Sequence, residues 1–310
     1  MERRTLTRLA SAAAGDATAL GVVRAVVSGV FLVSVLLTNF TNLGRLPATL
    51  LRPAGFMQLL PWSLYDAVMT PRGMFALMCA TAVSLLLSTV GLWTGATTKT
   101  SALLVLFYQG LLRNLGHFNH DEMLGVYCLV VLAFAPCGDG FSVDNFLRRG
   151  RVRARLSELA YGYPVLLMRA LMAWVYFSSG LIKLRYSGAR YFHPDTLPAL
   201  AVRHSLDNLH DTRFRYAFDL LDHRAYTTPL VALVVVWELL FPLAIFSKRA
   251  RWWLLGFGVV FHVSTLFLMN IFFPHLLALY LVFVDWRGVA ARLKSWRARR
   301  GMRAPGDPAG

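Results

Sequence analysis

Long apolar runs separated by short polar and basic segments extend along almost the whole chain. Eight of these runs approach or reach the roughly 17 to 25 residues that an α-helix needs to cross a bilayer. They cover residues 19–40, 73–93, 100–116, 122–137, 162–184, 228–246, 252–270 and 272–286. The pattern predicts an all-α, polytopic transmembrane helix bundle of about eight spans. The fourth and eighth spans are short. The last two are separated only around Asn270, so either they form a tight hairpin or one of them is half-buried within the bundle.

The composition favours a membrane protein over a soluble domain. Of the 310 residues, 56% are hydrophobic and 15% are charged, which is more apolar surface than a soluble core of this length can bury. The lipid bilayer is therefore the expected partner. A net charge of +16 would suggest nucleic-acid binding in a soluble protein. Here the basic residues form short clusters between apolar runs, so orientation in the bilayer explains them and no nucleic acid is expected.

The clusters of lysine and arginine predict the orientation. With a cytoplasmic N-terminus, most of them fall on the inner side, where segments 148–155 and 292–303 would lie against anionic lipid. This gives a cytoplasmic N-terminal segment (1–18), a transmembrane domain (19–287) and a basic, disordered cytoplasmic tail (288–310). A bacterial plasma membrane is the expected location. The long outer loop 185–227 is expected to form short interfacial helices that cover a cavity as a lid.

Several titratable residues are predicted at the outer ends of different spans. The third span ends near Arg113 and the fourth begins after Asn119 and His120. The fifth span ends at Lys183, and His262 lies within the seventh. Ionisable residues are costly to bury in a membrane and usually mark functional sites. The predicted topology therefore directs these groups towards one cavity in the outer leaflet.

Each of these residues also has a structural interpretation. Lys183 could be an interfacial anchor whose ammonium reaches water, and His262 could be a core histidine bonded to a neighbouring helix. Asp121 suits the N-terminus of the fourth helix, where a carboxylate favours the helix dipole. His117, His120 and Asp121 are ligand types that suit zinc or iron. Their spacing differs from that of a helical pair of zinc ligands, so no metal is expected.

Several motifs carry a resemblance to a known family. The stretch Tyr176–Leu184 resembles the segment of vitamin K-dependent gamma-carboxylase that holds its catalytic lysine. Asn119-His120 is similar to the Asn-His pair of that family. Phe261-His262 and the later Phe273-Pro274 resemble its late histidine and Phe-Pro hairpin. The broader horizontally transferred transmembrane (HTTM) domain family is matched by three further segments, namely Arg113-Asn114, Phe134-Ala135-Pro136 and Ser142-Val143-Asp144.

The resemblance implies roles for individual residues. Lys183 would be the catalytic lysine, since an apolar site disfavours its ammonium and leaves a neutral amine as a base. His120 would assist the quinone chemistry by hydrogen bonding or proton relay, and His262 would support it. The cofactor would be reduced vitamin K or a menaquinol-type quinone. The residues expected to bind it are Asn119, Arg113, Trp174, Tyr176, Phe177 and Phe261.

The implied function is quinol-dependent carboxylation, or a related oxygenation, of an exported peptide, lipid or small substrate at the outer face. Two features depart from the family. Ile182 replaces a second lysine of its paired motif, and the large luminal domain that follows the bundle in the carboxylase has no counterpart here. A non-catalytic accessory protein that binds quinone, lipid or an exported peptide, as in toxin-maturation relatives, is the alternative. A transporter is less favoured because no inverted repeat is present.

Overall fold

The computed structural model describes residues 15–38, 40–47, 53, 55–114, 120–148, 156–207 and 219–300, and all regular secondary structure in these residues is helical. The helices are α1 (Ala17–Leu37), α2 (Trp62–Val68), α3 (Pro71–Val90), α4 (Thr94–Asn114), α5 (His120–Ala133), α6 (Val143–Leu147), α7 (Glu158–Ser187), α8 (Thr196–Asp207), α9 (Asp219–Asp222), α10 (Arg224–Leu240), α11 (Leu243–Phe246), α12 (Lys248–Met269), α13 (Pro274–Leu279) and α14 (Trp286–Arg299). Short 3₁₀ turns cover Phe40–Arg45, Gly55–Leu59, Gly188–Phe192 and Tyr280–Phe283.

A helix is present at each of the eight predicted spans. Within the described residues, four helices are long and apolar enough to cross a membrane, namely α1, α3, α7 with the 3₁₀ turn after it, and α12. Many of their large exposed side chains are apolar, as at Trp253, which is 82% exposed, and such surface suits lipid. The prediction of an all-α membrane protein is confirmed. The count of eight spans and the cytoplasmic termini stay predictions.

The predicted hairpin after α12 is also present. Asn270 ends α12 in the left-handed conformation with φ 54°, and its N–H donates to the carbonyl of Leu266 over 3.0 Å. Asparagine tolerates this conformation better than most residues, which explains the stop at this position. Pro274 then opens α13 at the first helical position, where its missing N–H costs nothing.

The segment after residue 287 differs from its predicted disorder, because α14 continues to Arg299. Val289, Leu293 and Trp296 recur at helical spacing and are each roughly half exposed, while most of the other side chains are basic or small. Such an amphipathic pattern favours a helix at a membrane surface over a disordered chain. Residues 301–310 lie outside the described residues.

The chain divides into two compact units. One contains Leu166–Tyr280 and the first part of α5. The other contains α1 to α4, Leu129–Val165 and α14.

Buried hydroxyl groups connect three helices of the unit that contains α1. Ser28 of α1 and Ser88 of α3 have their Oγ atoms 2.9 Å apart, and Ser88 Oγ lies 3.2 Å from Thr98 Oγ1 of α4. Ser84 and Ser101 make a second contact of 2.7 Å. Small polar residues let transmembrane helices approach closely and hydrogen-bond to each other. These contacts explain why α4 packs here although it is less apolar than its neighbours.

Arg24 is fully buried in α1, and its guanidinium is hydrogen-bonded to the loop after α5. It donates to the carbonyl oxygens of Cys137 and Phe141 over 3.0 and 2.7 Å. Gly91, with φ 76°, lies directly against the guanidinium, and a side chain at this position would overlap it. Arg24 therefore holds the loop after α5 against α1 by hydrogen bonds, which gives the cation a structural role.

Asp144, part of the Ser142-Val143-Asp144 motif, caps the start of α4. Its carboxylate accepts hydrogen bonds from the backbone N–H groups of Trp93 and Thr94, over 2.9 and 2.7 Å, and from the Thr94 hydroxyl. Burial alone raises the pKa of Asp144, but these hydrogen bonds and the nearby Arg148 outweigh it and hold the pKa below its ordinary value. The motif thus fixes the N-terminus of a helix.

Candidate functional site

One face of α7 carries Tyr176, Ser179, Gly180 and Lys183, which recur at helical spacing. Gly180 allows this face to approach α10 closely. A Cβ atom at Gly180 would lie 3.0 Å from the Cβ of Glu238, tighter than a normal contact. The missing side chain therefore brings the lysine of α7 and the carboxylate of α10 into reach of each other.

Lys183 Nζ donates a hydrogen bond to Glu238 Oε1, so the two form an ion pair. Ser179 Oγ accepts from Lys183 Nζ over 3.2 Å and donates to the same carboxylate oxygen over 3.0 Å. The Lys183 side chain is 21% exposed and that of Glu238 is 4% exposed. Glu238 Oε2 is buried and has no hydrogen-bond partner among the described residues. The pair keeps the lysine within the protein and does not leave it as a free surface anchor.

Lys183 also lines a mainly apolar cavity of about 350 Å³. It is the one charged residue among the described residues of the cavity wall. The loop 185–227 contributes the helix α8, which packs against α10 and α12. The other lining residues are Tyr191, Leu197, Leu200, Leu230, Val231, Leu233, Val234, Phe257, Val260, Phe261, Ser264, Thr265, Leu268, Met269, Ile271 and Phe273.

Hydrogen bonds hold the start of the loop 185–227 against α10. Thr227 Oγ1 donates to the carbonyl of Pro194 over 2.6 Å, and Thr228 Oγ1 donates to that of Phe192 over 2.9 Å. These two threonines lie in the first two turns of α10, so the loop is fixed at the helix that carries Glu238. Short helices were expected in this loop and are present. Their action as a lid stays a prediction.

A buried hydrogen-bonded network lies next to the aromatic wall of the cavity. Tyr176 Oη is 2.7 Å from His262 Nε2 and 3.0 Å from Tyr280 Oη. The His262 ring packs edge-on against Phe261 and Phe273, with ring centroids 5.1 Å apart in each case. All three members of the network are less than 9% exposed. Tyr176 therefore holds both His262 and Tyr280 through one hydroxyl group.

A glycine makes room for this network. A Cβ atom at Gly258 on α12 would overlap the hydroxyl of Tyr280 and come close to Trp237. Trp237 in turn donates from Nε1 to the carbonyl of Leu254 over 2.8 Å, which ties α10 to α12. The helices that carry Glu238 and His262 are thus fixed to each other.

The structure places some of the predicted site residues together. Lys183 and Phe261 line the cavity, and Tyr176 and His262 form the adjacent network. Trp174 is 64% exposed, and neither it nor Phe177 is among the lining residues.

The described geometry of the site does not include three of the predicted site residues. Arg113 lies exposed in the last turn of α4. His120 begins α5, but its side chain lies outside what the structure describes, as does Asn119. Their roles in binding or catalysis stay predictions.

Glu238 and Tyr280 were missed by the sequence reasoning. Glu238 had a signal, because it is the one charged residue in the apolar run 228–246, and an intramembrane carboxylate indicates function. Tyr280 had none, since its contact with Tyr176 depends on the hairpin after α12 and on Gly258.

The four helices that are long and apolar enough to span a bilayer support an integral membrane protein. The family model of the HTTM domain matches residues 13–286. The chain therefore belongs to the HTTM domain family, as its motifs predicted. The HTTM domain is a membrane domain of gamma-carboxylase-like proteins. Comparison with curated proteins and with solved structures returned no match.

Proposed function

We propose that the protein is a membrane enzyme that uses a reduced isoprenoid quinone, bound in the Lys183 cavity, to modify an exported substrate at the outer face of a bacterial plasma membrane. The observation that supports this most is the position of Lys183. Its amine lines an apolar cavity while it is hydrogen-bonded to a deeply buried carboxylate. Charged groups in such surroundings are costly and are usually kept for chemistry.

The residues of the cavity fit a hydroquinone. Its volume of about 350 Å³ lies in the range of about 300 to 1,000 Å³ typical of small-molecule sites. Leucine, valine and phenylalanine side chains would contact the ring and the isoprenoid tail. Lys183 and Tyr191 offer polar contacts to a ring hydroxyl. A bound hydroquinone would supply electrons for oxygenation and, through it, the strong base that activates the substrate.

In this proposal the side chains of the protein bind and orient the hydroquinone and exclude water from the cavity. The Lys183–Glu238 pair handles the proton of a bound hydroxyl group, and Ser179 fixes the geometry of the pair. Leu197 and Leu200 of α8 shield the cavity from water, which strengthens the electrostatic interactions inside it. Tyr176 orients His262, which supports the aromatic wall.

A non-catalytic protein that binds quinone, lipid or an exported peptide is the second candidate. The observation that favours it is the ion pair itself, because a lysine held by Glu238 also suits a purely structural contact between α7 and α10. Oxidation of a quinol separates the two candidates.

The test is oxidation of menaquinol-4 by the purified full-length protein in proteoliposomes, followed by chromatography. The wild type should consume the quinol in the presence of oxygen. The Lys183→Met variant should be at least about 100-fold slower, the usual loss on removing a group that takes part in proton transfer. Lys248→Met, at an exposed lysine at the start of α12, is the matched control and should keep the rate. Wild-type protein that binds the quinol without oxidising it would instead support the accessory role.

A further inference from the structure

We infer that Glu238 is the residue that takes up the proton which this site removes from its ligand, and that the ligand is an apolar compound with a weakly acidic hydroxyl group, such as a phenol or a hydroquinone. This inference rests on the proposed function of the Lys183 cavity. It differs from the role expected for Lys183, because the lysine is an ammonium both before and after the transfer and the proton is kept on Glu238.

The first step is the chemistry of the pair. Lys183 Nζ is hydrogen-bonded to Glu238 Oε1, and as an ammonium it has no lone pair with which to accept a proton. The basic atoms of the ion pair are the carboxylate oxygens. Oε1 already accepts from Lys183 and Ser179, whereas buried Oε2 has no hydrogen-bond partner among the described residues. A proton acceptor is therefore present at Glu238.

The second step is the charge balance. The pair is neutral overall before the ligand binds. When the ligand O–H bond breaks and an O–H bond forms on Glu238, the products are a neutral carboxylic acid, the Lys183 ammonium and a ligand oxyanion. No electrons are transferred, and the net charge of the site stays zero. Burial of an unpaired charge in apolar surroundings would be costly, and this transfer avoids it.

The third step is the arrangement around the cavity. Lys183 lines the wall, whereas Glu238 is 3% exposed and is not among the lining residues. Lys183 therefore relays the proton: as Nζ passes to Glu238 Oε1 the proton of their hydrogen bond, it takes the ligand proton in its place. The ammonium then faces the ligand oxyanion, and the proton is held on Glu238 behind it. Two other groups lie nearby. The ring centroid of Tyr191 is 5.9 Å from Lys183 Nζ, and the Tyr176 hydroxyl is already hydrogen-bonded to His262 and Tyr280. The carboxylate is thus the acceptor best placed beside the ammonium.

The transfer can be observed with a long-chain alkyl nitrophenol as the probe. The full-length protein in nanodiscs would be mixed with the probe, and visible absorption would report its phenolate form. Infrared difference spectra would report the C=O stretch of any carboxyl group that becomes protonated. Wild type should show both signals, and the carboxyl band should shift when glutamate is labelled with ¹³C.

Substitutions of single glutamates identify the residue that gives the carboxyl band. Glu238→Gln should lose the carboxyl band, Glu238→Asp should retain a displaced band, and Glu158→Gln, at an exposed glutamate of α7, should leave it unchanged. The inference is overturned if wild type forms phenolate without a protonated-carboxyl band, or if the band persists in Glu238→Gln. If the probe does not bind, or binds only in its neutral form, the proposed function of the cavity fails together with the inference. If Glu238→Gln does not fold, the displaced band of Glu238→Asp, together with the glutamate label in wild type, still assigns the band.

Discussion

Substitution of Tyr176 by phenylalanine removes one hydroxyl group from the centre of the buried network. The ring can stay in place, since it packs against Trp237 and Phe241 with centroid distances of 4.8 and 4.3 Å. The lost contacts are those to His262 and Tyr280. The variant therefore tests the hydrogen bonds with little change in packing.

The structure sets the expected size of the effect. A hydrogen bond of this kind contributes about 1 kcal/mol net, and depriving a buried polar group of a partner costs about 1 to 3 kcal/mol. His262 is 2% exposed and Tyr280 is 6% exposed, so water does not readily replace the lost hydroxyl. We expect the free energy of unfolding to fall by about 2 to 4 kcal/mol. At about 2 to 4 °C per kcal/mol, the unfolding temperature should fall by about 4 to 16 °C.

The assay is thermal unfolding of the purified protein in one detergent, followed by tryptophan fluorescence. Tyr163→Phe is the matched control, because this tyrosine lies on the same helix and is 61% exposed. It should unfold within about 0.5 kcal/mol of wild type, as surface substitutions usually do. If Tyr176→Phe and Tyr163→Phe unfold at the same temperature, the network contributes nothing and the proposed positioning of His262 fails.

Two further predictions concern helix packing. Gly180→Ala should gain less stability than Gly256→Ala, although each should gain about 1 kcal/mol from helix propensity alone, because only the first places a Cβ atom 3.0 Å from Glu238. Equal unfolding temperatures of the two variants would show that α7 can move away from α10 without loss of stability. Asp144→Asn should lower the free energy of unfolding by about 1 to 3 kcal/mol at neutral pH, since it weakens the cap at Trp93. The pKa of Asp144 is lower in the folded state, so this stabilisation is present above the ordinary carboxyl pKa of about 4 and is lost as the pH falls further. A wild-type-to-variant difference in unfolding temperature that stays constant from pH 7 to pH 3 would contradict the assignment.

The hydrophobic pattern predicted the helices well because apolar length is a local property. It placed a helix at every expected span and marked Lys183 as a charge at the end of one. The pattern could not show that Lys183 meets Glu238, which is 55 residues away. That contact depends on the close approach of two helices at Gly180, which no single segment encodes.

The aromatic run around Tyr176 illustrates a second limit. All of its aromatic residues were expected to surround a quinone, yet successive helical positions point in different directions. Trp174 is two positions before Tyr176, so its side chain lies far around the helix and is 64% exposed. The same spacing rule places Lys183 and Tyr176 on one face.

The central claim is that the Lys183 cavity holds an isoprenoid quinone. The most direct measurement is purification of the wild-type chain from bacterial membranes in mild detergent, extraction of bound lipid and quantification of isoprenoid quinone by mass spectrometry. Leu200→Trp, which fills the cavity from α8, and Leu206→Trp, at an exposed position on the same helix, provide the comparison. We predict near-stoichiometric quinone in wild type and Leu206→Trp and a loss of at least about ten-fold in Leu200→Trp, equivalent to about 1.4 kcal/mol. Equal quinone in all three proteins, or none in wild type, would contradict the claim.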